Sequence, residues 1–287
     1  MTLIAFIGSV FSPYYARARA RSDVPDPLNH CALNVALFDG PRRHWAMTER
    51  SACAVHASES ALSIGPSSVE RTADGLRIVL RERGAPWPSR ISGQIDVSFA
   101  HWSSEPLALD ARGAHIWTPH APHAQVQVAL DSPRWHWQGR GYVDGNEGCE
   151  PLERGFRGWQ WSRIALPQGR TLVQYDTDAR DGSVQRRALL FDCDGSPRLH
   201  EPLAQTPLPA TRWGIARSIG SAHDADAAVP ARLVRTLESG PFYARSLVRV
   251  PIEGALHFAM HESLSLDRFS QRWVQALLPF RMPRNPR

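Results

Sequence analysis

Two pairs of side chains with acid–base or aromatic chemistry stand in the middle of the chain. His115 and Trp117 form the first pair, and Tyr142 and Asp144 form the second. Alternate residues of a β-strand share one face, so each pair points to one side if its segment is extended. One interpretation is that both pairs line a single cavity. The alternative is a hairpin turn at Asp144-Gly145 with the tryptophans in the core, and spacing alone leaves it open.

The histidines do not form a recognisable metal-binding motif. His261 and Glu262 resemble the start of a zinc-protease motif, but Ser265 stands where the second histidine is required. His120 and His123 lie beside prolines without a cysteine or carboxylate partner nearby, and we interpret them as polar loop residues. We therefore expect no metal at these positions.

Composition and local motifs exclude several functions. All 33 basic residues are arginine, so the chain has no lysine for a Schiff base or a P-loop. The net charge is +5, but the arginines are spread along the chain instead of forming a basic stripe, and no nucleic-acid partner is expected. Residues 139–141 read Gly-Arg-Gly, yet turn residues follow them where a dinucleotide-binding motif needs a helix.

Frequent turn residues and alternating segments predict a mostly β fold. The 287 residues include 23 prolines and 20 glycines, which leave few windows for a long helix. Many short strands at this spacing are typical of a sandwich or a barrel. The alternating segments are residues 32–38, 76–80, 94–99, 125–130, 135–138, 171–175, 188–191 and 247–250.

The two ends of the chain carry different signals. Near the N-terminus, residues 3–11 are too short to cross a bilayer and are expected to be folded protein. Arg17, Arg19 and Arg21 alternate, which predicts a strand with a solvated arginine face. Near the C-terminus one helix is predicted to begin at Ser265 and to be ended by Pro279. Its apolar positions are Leu266, Phe269, Trp273 and Leu277.

Nine motifs in order along the chain resemble those of one known family. They are FIGSVFSPYYA (residues 6–16), DPLNHCALNVAL (26–37), WAMTER (45–50), LSIGPS (62–67), GRGYVDGNEG (139–148), WQWSR (159–163), PFYARS (241–246), HESLSLDRF (261–269) and LPFRMPR (278–284). With these motifs the sequence resembles the carotenoid 1,2-hydratases, also called hydroxyneurosporene synthases, of the hydratase and lipocalin-like superfamily. The resemblance covers nearly the whole chain.

The resemblance implies a fold and a domain organisation. The expected fold is mostly β, with two lipocalin-like β-barrel or sandwich domains and a short C-terminal helix. The proline-rich residues 196–209 are the most linker-like stretch, so we expect an N-terminal β-domain over residues 1–200 and a C-terminal one over residues 201–287. The four cysteines show no C-x-x-C spacing and are expected to be reduced thiols of a cytoplasmic protein.

The resemblance also implies a catalytic set. The family's proposed set is a histidine and a tryptophan two residues apart, followed by a tyrosine and an aspartate two residues apart. The matching residues are His115, Trp117, Tyr142 and Asp144. Glu147 stands where the family often has another aromatic residue, which leaves the substrate preference open.

The implied reaction adds water to the terminal C1–C2 double bond of an acyclic carotenoid such as neurosporene or lycopene. Protonation at C2 leaves a tertiary cation at C1, and water captures it without any redox cofactor or metal. Asp144 is expected to donate the proton, and the Trp117 ring to stabilise the cation. Tyr142 and His115 are expected to hold the water, with Tyr142 donating to Asp144 or to the water and His115 accepting the water's proton; the sequence does not separate these roles. The expected partners are therefore the carotenoid and water, and the expected cofactor is none.

An insoluble substrate also implies contact with a membrane surface. We expect a cytoplasmic protein that touches the inner membrane peripherally, through its C-terminal helix and through Arg281, Arg284 and Arg287. The alternative is that this helix only packs on the rest of the protein.

Two other functions fit the same sequence features. A non-catalytic polyene carrier of the same superfamily needs an apolar cup but has no use for Asp144. A pericyclase that holds a polyene for cyclisation needs the shape of the pocket more than a proton donor.

We expect the activity to be independent of metals, because proton transfer and water capture require none. Exhaustive dialysis against EDTA should leave the hydration rate unchanged, as measured by the mass of the product. A loss of activity that zinc or iron restores would contradict this expectation.

Overall fold

Strands make up most of the protein. The computed structural model describes residues 1–22, 24–39, 42–222 and 230–285. In this part of the chain the helices are α1 (Pro13–Arg19), α2 (Leu152–Gly155), α3 (Leu266–Phe269) and α4 (Arg272–Arg281). The mostly β fold and the short C-terminal helix are therefore confirmed.

The strands follow one another at short intervals. Those in the first half of the chain are β1 (Thr2–Phe6), β2 (Cys31–Asp39), β3 (Arg42–Arg50), β4 (Val55–Ala57), β5 (Ala61–Ile64), β6 (Ser67–Arg71), β7 (Gly75–Arg83), β8 (Arg90–Ser98), β9 (Leu107–Ala108), β10 (His115–Ser132) and β11 (Trp135–Gly148). Those in the second half are β12 (Phe156–Ala165), β13 (Thr171–Ala179), β14 (Val184–Phe191), β15 (Pro197–His200), β16 (Ala204–Leu208), β17 (Arg217–Ser221), β18 (Arg232–Ser239), β19 (Tyr243–Ile252), β20 (Ala255–Ser265) and β21 (Arg284–Asn285).

The chain forms two compact units, and both are discontinuous in sequence. Unit 1 contains Met1–Ala100, Ala124–Gly141 and Gln275–Arg287, and unit 2 contains His101–His123 and Tyr142–Val274. No boundary between the two units lies at residue 200. The proline-rich stretch belongs to unit 2 and contains residues of β15 and β16. As a statement about folding domains, the division at residue 200 stays a prediction.

The sheets of unit 1 are antiparallel apart from one edge strand, β21, which pairs in parallel. The order β1-β2-β3-β21 forms one sheet, in which β21 runs parallel to β3. Strands β4 to β8 pair in sequence, and the later part of β10 continues this sheet beside β8. Both sides of β2 are buried: Leu33, Val35 and Leu37 lie on one face, and Ala32 and Ala36 lie on the other.

Unit 2 contains the sheet that positions the candidate site. Its order is β15-β14-β13-β12-β20-β19-β18, and the hairpin β16-β17 forms a separate small sheet. One face of the seven-stranded sheet buries an apolar cluster that includes Ile164, Leu172, Val248 and Ala259. Leu208 and Ile219 from the hairpin belong to the same cluster, so the hairpin covers this face. Within the described residues neither large sheet closes into a barrel.

Arg17 and Arg19 lie on helix α1 and Arg21 lies in the turn after it, so the predicted strand is wrong. Ser12 caps α1 by accepting hydrogen bonds from the backbone N–H groups of Tyr14 and Tyr15, at 3.1 and 3.0 Å. Pro13 fills the first helical position, where its missing N–H costs nothing. The local Ser-Pro start signal therefore outweighs the two-residue spacing of the arginines.

The predicted C-terminal helix starts as expected but ends differently. The Ser265 hydroxyl accepts a hydrogen bond from the Arg268 N–H, as an N-cap does. The helical region then divides into α3 and α4, and α4 continues through Pro279 to Arg281. Proline near a helix end removes only one internal hydrogen bond, and the Met282 N–H still bonds the Leu278 carbonyl at 2.7 Å. Pro279 therefore does not end the helix.

Candidate active site

One face of the seven-stranded sheet carries a row of aromatic and charged side chains. Residues directly opposite each other in antiparallel strands point to the same face. The register aligns Tyr175 of β13, Trp161 of β12, Glu262 of β20 and Arg245 of β19 across four neighbouring strands. The apolar cluster lies on the other face of the sheet. Trp161 and Ile164 are three residues apart in β12, so their side chains point to opposite faces.

Trp117 and Asp144 meet beside this row. The Trp117 Nε1–H donates a hydrogen bond to Asp144 Oδ2 at 2.9 Å. The Trp117 ring also meets the Tyr175 ring edge-on, with centroids 5.4 Å apart. Trp117 is 0% exposed, so packing holds the indole on all sides. The early part of β10 and the late part of β11 thus bring together one residue from each predicted pair.

The surroundings of Asp144 favour its protonated form. Burial raises the pKa of Asp144 to about 6, and the charge of Glu262 contributes to the rise. The Trp117 N–H, the Tyr142 hydroxyl and the Arg245 charge act in the opposite direction, because they favour the carboxylate. The side chain remains half-buried. Asp144 is thus largely withdrawn from solvent.

Tyr142 supplies a neutral phenol next to this acid. Its hydroxyl oxygen is buried and forms no hydrogen bond of normal geometry with the described residues. The ring lies 5.6 Å from that of Trp161, and the Arg163 guanidinium is 5.8 Å from its centre. Burial raises the pKa of Tyr142 well above its usual range, and the nearby Asp144 charge adds to the rise. The hydroxyl therefore keeps its proton and is available as a donor.

His115 does not join Asp144 in the described structure. It is 2% exposed, and its ring packs against Phe156 at 4.8 Å. A Cβ placed on Gly148 or Gly155 would lie within 3 Å of the ring, so the two glycines make room for it. Its Nε2 is 3.6 Å from Glu150, and burial lowers the pKa of His115. The imidazole is a neutral packed group facing Glu150.

The two carboxylates that follow Asp144 in sequence lie apart from the acid. Glu147 is exposed. Glu150 accepts a hydrogen bond from Arg112 in addition to its contact with His115. Neither is a leading cause of the pKa shift of Asp144, whereas Glu262, which is distant in sequence, is one.

Glu262 belongs to a buried ion cluster. The Arg245 guanidinium is 1% exposed and donates from Nε to Glu262 Oε1 at 2.9 Å. The Arg245 Nη2 donates to the same oxygen. Glu238 lies on the other side, with its Oε2 3.8 Å from Arg245 Nη1. One buried cation thus serves two carboxylates, and Glu262 is the one whose charge reaches Asp144.

His120, His123 and His261 have structural contacts. His120 and His123 lie in strand β10 and not in a loop, so that interpretation is wrong. The His120 ring stacks on Trp102 at 4.3 Å, and His123 Nε2 donates to the Asp192 carbonyl at 2.7 Å. His261 Nε2 donates to the Ser218 carbonyl at 2.8 Å. Among the described residues, no three His, Cys, Asp or Glu side chains group as metal ligands.

The sequence interpretation missed the residues of the row. Trp161, Tyr175, Arg245 and Glu262 come from four strands that are far apart in the chain. A signal was present, since Trp159 and Trp161 have the same two-residue spacing as the predicted pairs. That spacing shows which residues share a strand face, but it does not show which strands are neighbours.

The fold is that of a lipocalin-like β-protein, with a candidate acid–base site beside one sheet face. The carotenoid hydratase CrtC family matches residues 3–287. An acyclic carotenoid 1,2-hydratase of Thiocapsa roseopersicina is 46% identical over 99% of this chain and 69% of its own length. The enzyme of the same description from Rubrivivax gelatinosus is 42% identical over the same shares.

These matches show that the chain belongs to the carotenoid hydratase family, and it is a hydro-lyase. A solved structure, of an AttH candidate from Nitrosomonas europaea, has a TM-score of 0.56 and 16% identity, covering 84% of this chain and 81% of that one. This likeness shows a shared fold.

We expect Asp144→Asn to stabilise the folded protein at neutral pH. The unfolded chain ionises an aspartate near pH 4, whereas folded Asp144 holds its proton to about pH 6. Stability therefore falls as pH rises through this window and stays lower above it. The amide does not ionise and avoids this loss. The free energy of unfolding of the variant minus that of the wild type should therefore be about 1 to 3 kcal/mol larger at pH 8 than at pH 4, after allowance for solvent contact.

Urea unfolding of both proteins at pH 4 and pH 8 measures this gain. Asp176 has a similarly raised pKa, but it is present in both proteins and its contribution cancels. An equal stability difference at the two pH values would contradict the raised pKa of Asp144.

Proposed function

We propose that this protein hydrates the terminal C1–C2 double bond of acyclic carotenoids such as neurosporene and lycopene, with Asp144 as the proton donor. The observation that supports this role is the half-buried Asp144 carboxyl, whose pKa is raised to about 6 beside aromatic side chains. The relatives described as acyclic carotenoid 1,2-hydratases support the substrate class.

The chemistry requires an acid, a cation-stabilising surface and a water molecule. Asp144 transfers its proton to C2, and the electron pair of the double bond forms the new C–H bond. The positive charge then lies on C1, which bears two methyl groups. Water bonds to C1 and loses a proton, and the product is a tertiary alcohol.

The raised pKa makes Asp144 usable as an acid near neutral pH. With a pKa of about 6, roughly a tenth of the side chains are protonated at pH 7. Reaching the protonated form then costs about 1.4 kcal/mol, whereas an aspartate of ordinary pKa would cost about 4 kcal/mol. The difference is about a hundredfold in the fraction of Asp144 that holds a proton at pH 7.

Trp117 acts on the acid and not on the cation. Its indole N–H holds Asp144 Oδ2, which orients the carboxyl and leaves Oδ1 to carry the proton. The expected contact of the Trp117 ring with the substrate does not fit its complete burial. Trp161 is half-buried and packs on Tyr142, so it is better placed to face the developing charge. Such a cation–π contact contributes up to about 2 kcal/mol when water is excluded.

Tyr142 is the better of the two expected water ligands. Its hydroxyl keeps its proton and has no hydrogen-bond partner of normal geometry among the described residues. A water between this hydroxyl and the substrate would satisfy the phenol. His115 faces Glu150 and is almost fully buried, so we assign it to positioning the start of β10.

Asp144→Asn should lower the hydration rate at least about a thousandfold while the protein still binds the polyene. The amide keeps the shape of the side chain but is too weak an acid to protonate an alkene. Turnover of lycopene in detergent, with product mass recorded, measures the loss. In deuterated water the wild-type product should carry one deuterium at C2. A variant with near-normal turnover would show that the acid lies elsewhere.

Trp117→Phe is the matched control for this assignment. It removes the hydrogen bond that favours the carboxylate, so the pKa of Asp144 should rise. The pH at which the rate falls on the alkaline side should therefore move upward, and the loss of rate should be much smaller than in Asp144→Asn.

A wild-type protein that binds lycopene tightly but never converts it would favour the carrier function instead.

We also propose that α4 contacts the membrane that holds the substrate. No helix of the described residues is long and apolar enough to cross a bilayer. Trp273, Leu277 and Phe280 recur along α4 and are 41%, 44% and 71% exposed. The expected arginines contribute less, since Arg284 pairs with Glu49 and the Arg281 guanidinium lies over Trp45 at 4.3 Å. Arg287 lies outside the described residues.

The double variant Leu277→Ser, Phe280→Ser should reduce flotation with vesicles that contain anionic lipid, because it removes apolar surface from the contact. Leu199→Ser is a suitable control, since Leu199 is 89% exposed but lies on β15. Equal flotation of all three proteins would remove α4 from the contact. Hydration of detergent-dissolved lycopene should remain unchanged in the double variant.

A further inference from the structure

Hydration leaves two proton transfers to be assigned. Asp144 gives up a proton to C2, and the water that bonds to C1 must release one. A base near C1 has to accept this second proton, and the accepted proton must then return to Asp144 before another turnover. His115 was the expected base, but it is 2% exposed and packed between two glycines. Tyr142 keeps its own proton and therefore cannot take another.

Glu262 has the location that such a base requires. It lies directly opposite Trp161 in the register and on the same sheet face. Trp161, its neighbour in the row, has its ring 5.6 Å from that of Tyr142, and the charge of Glu262 reaches Asp144. The side chain of Glu262 is 22% exposed, and a small molecule can therefore reach it. Glu262 is the carboxylate whose charge raises the pKa of Asp144 most.

Arg245 holds Glu262 in one orientation. Both hydrogen bonds from the guanidinium go to Oε1, so the guanidinium leaves Oε2 to accept from a water. A carboxylate suffices as the base, because a water that is bonding to a tertiary cation becomes strongly acidic.

We propose that Glu262 is the general base of the hydration, accepting the proton from the water that attacks C1. The inference rests on the proposed hydration and adds a second catalytic carboxyl to it. The Asp144 proton forms the new C2–H bond, and the water oxygen forms the new C1–O bond. The O–H bond of this water breaks toward Glu262 Oε2. Glu262 then passes the proton to Asp144, directly or through a water, which restores both groups.

The test compares Glu262→Gln with Asp144→Asn in deuterated water, with unreacted lycopene recovered alongside the product. Asp144 still forms the cation in Glu262→Gln, and the cation returns a proton to Asp144 when water is not activated. Hydration should fall at least about a hundredfold, while deuterium still enters C2 of the recovered substrate. Asp144→Asn should lose both hydration and exchange.

Glu238→Gln is the matched control. It removes a carboxylate from the same Arg245 on the side away from Glu262, so a general disturbance of the ion cluster should appear in it as well. Its hydration rate should stay within threefold of the wild type. Urea unfolding of each variant shows that the proteins compared are folded.

Glu262→Ala with added formate is the second variant. Formate can occupy the vacated space beside Arg245 and should restore part of the lost hydration in a saturable manner. A purely structural role of Glu262 would not allow such rescue.

Near-normal hydration by Glu262→Gln would overturn the role of Glu262, and so would a loss of deuterium exchange equal to the loss of hydration. Failure of the wild type to hydrate any acyclic carotenoid would instead overturn the proposed function.

Discussion

The withdrawal of one carboxyl from water is the constraint on which the rest of the site depends. An aspartate in solvent is ionised at neutral pH, so an acid that works there must be surrounded by protein. Asp144 reaches a pKa of about 6 in this way, at an energetic cost of about 3 kcal/mol when the group is ionised. The hydrogen bond from Trp117 orients the carboxyl, and together with the Tyr142 hydroxyl and the Arg245 charge it opposes the rise in pKa without reversing it.

The ion cluster on the same sheet face sets the charge around this acid. A buried ion pair adds little net stability, because the loss of hydration offsets the attraction between the charges. Arg245 is almost inaccessible, yet it serves both Glu262 and Glu238. The cluster therefore does more for the electrostatics of the face than for the stability of the fold. Glu262 raises the pKa of Asp144 while Arg245 lowers it, and the acid depends on the balance between the two.

The two faces of the sheet explain how a charged site and an apolar core coexist in one unit. Along β12, Trp161 and Arg163 point to the site face, and Ile164 points to the core. Successive residues of a strand alternate in direction, so a single residue step separates the two environments. The hairpin β16-β17 closes the apolar face, which leaves the polar face for chemistry. The residues of the row thus lie on hydrogen-bonded strands and not on loops, and such strands position side chains more precisely than loops do.

The sequence by itself determined the β-rich character and the family resemblance, and it singled out Trp117, Tyr142 and Asp144, which the structure brings together. These features depend on local spacing, which places Trp117 on one strand face and Tyr142 with Asp144 on another. The tertiary structure alone decided that His115 faces Glu150 and that Glu262 stands near the acid. It also decided that α4 passes Pro279, where neighbouring hydrogen bonds survive. Strand pairing joins residues far apart in sequence, and a one-residue change of register would reverse every face, so such contacts cannot be derived from local spacing.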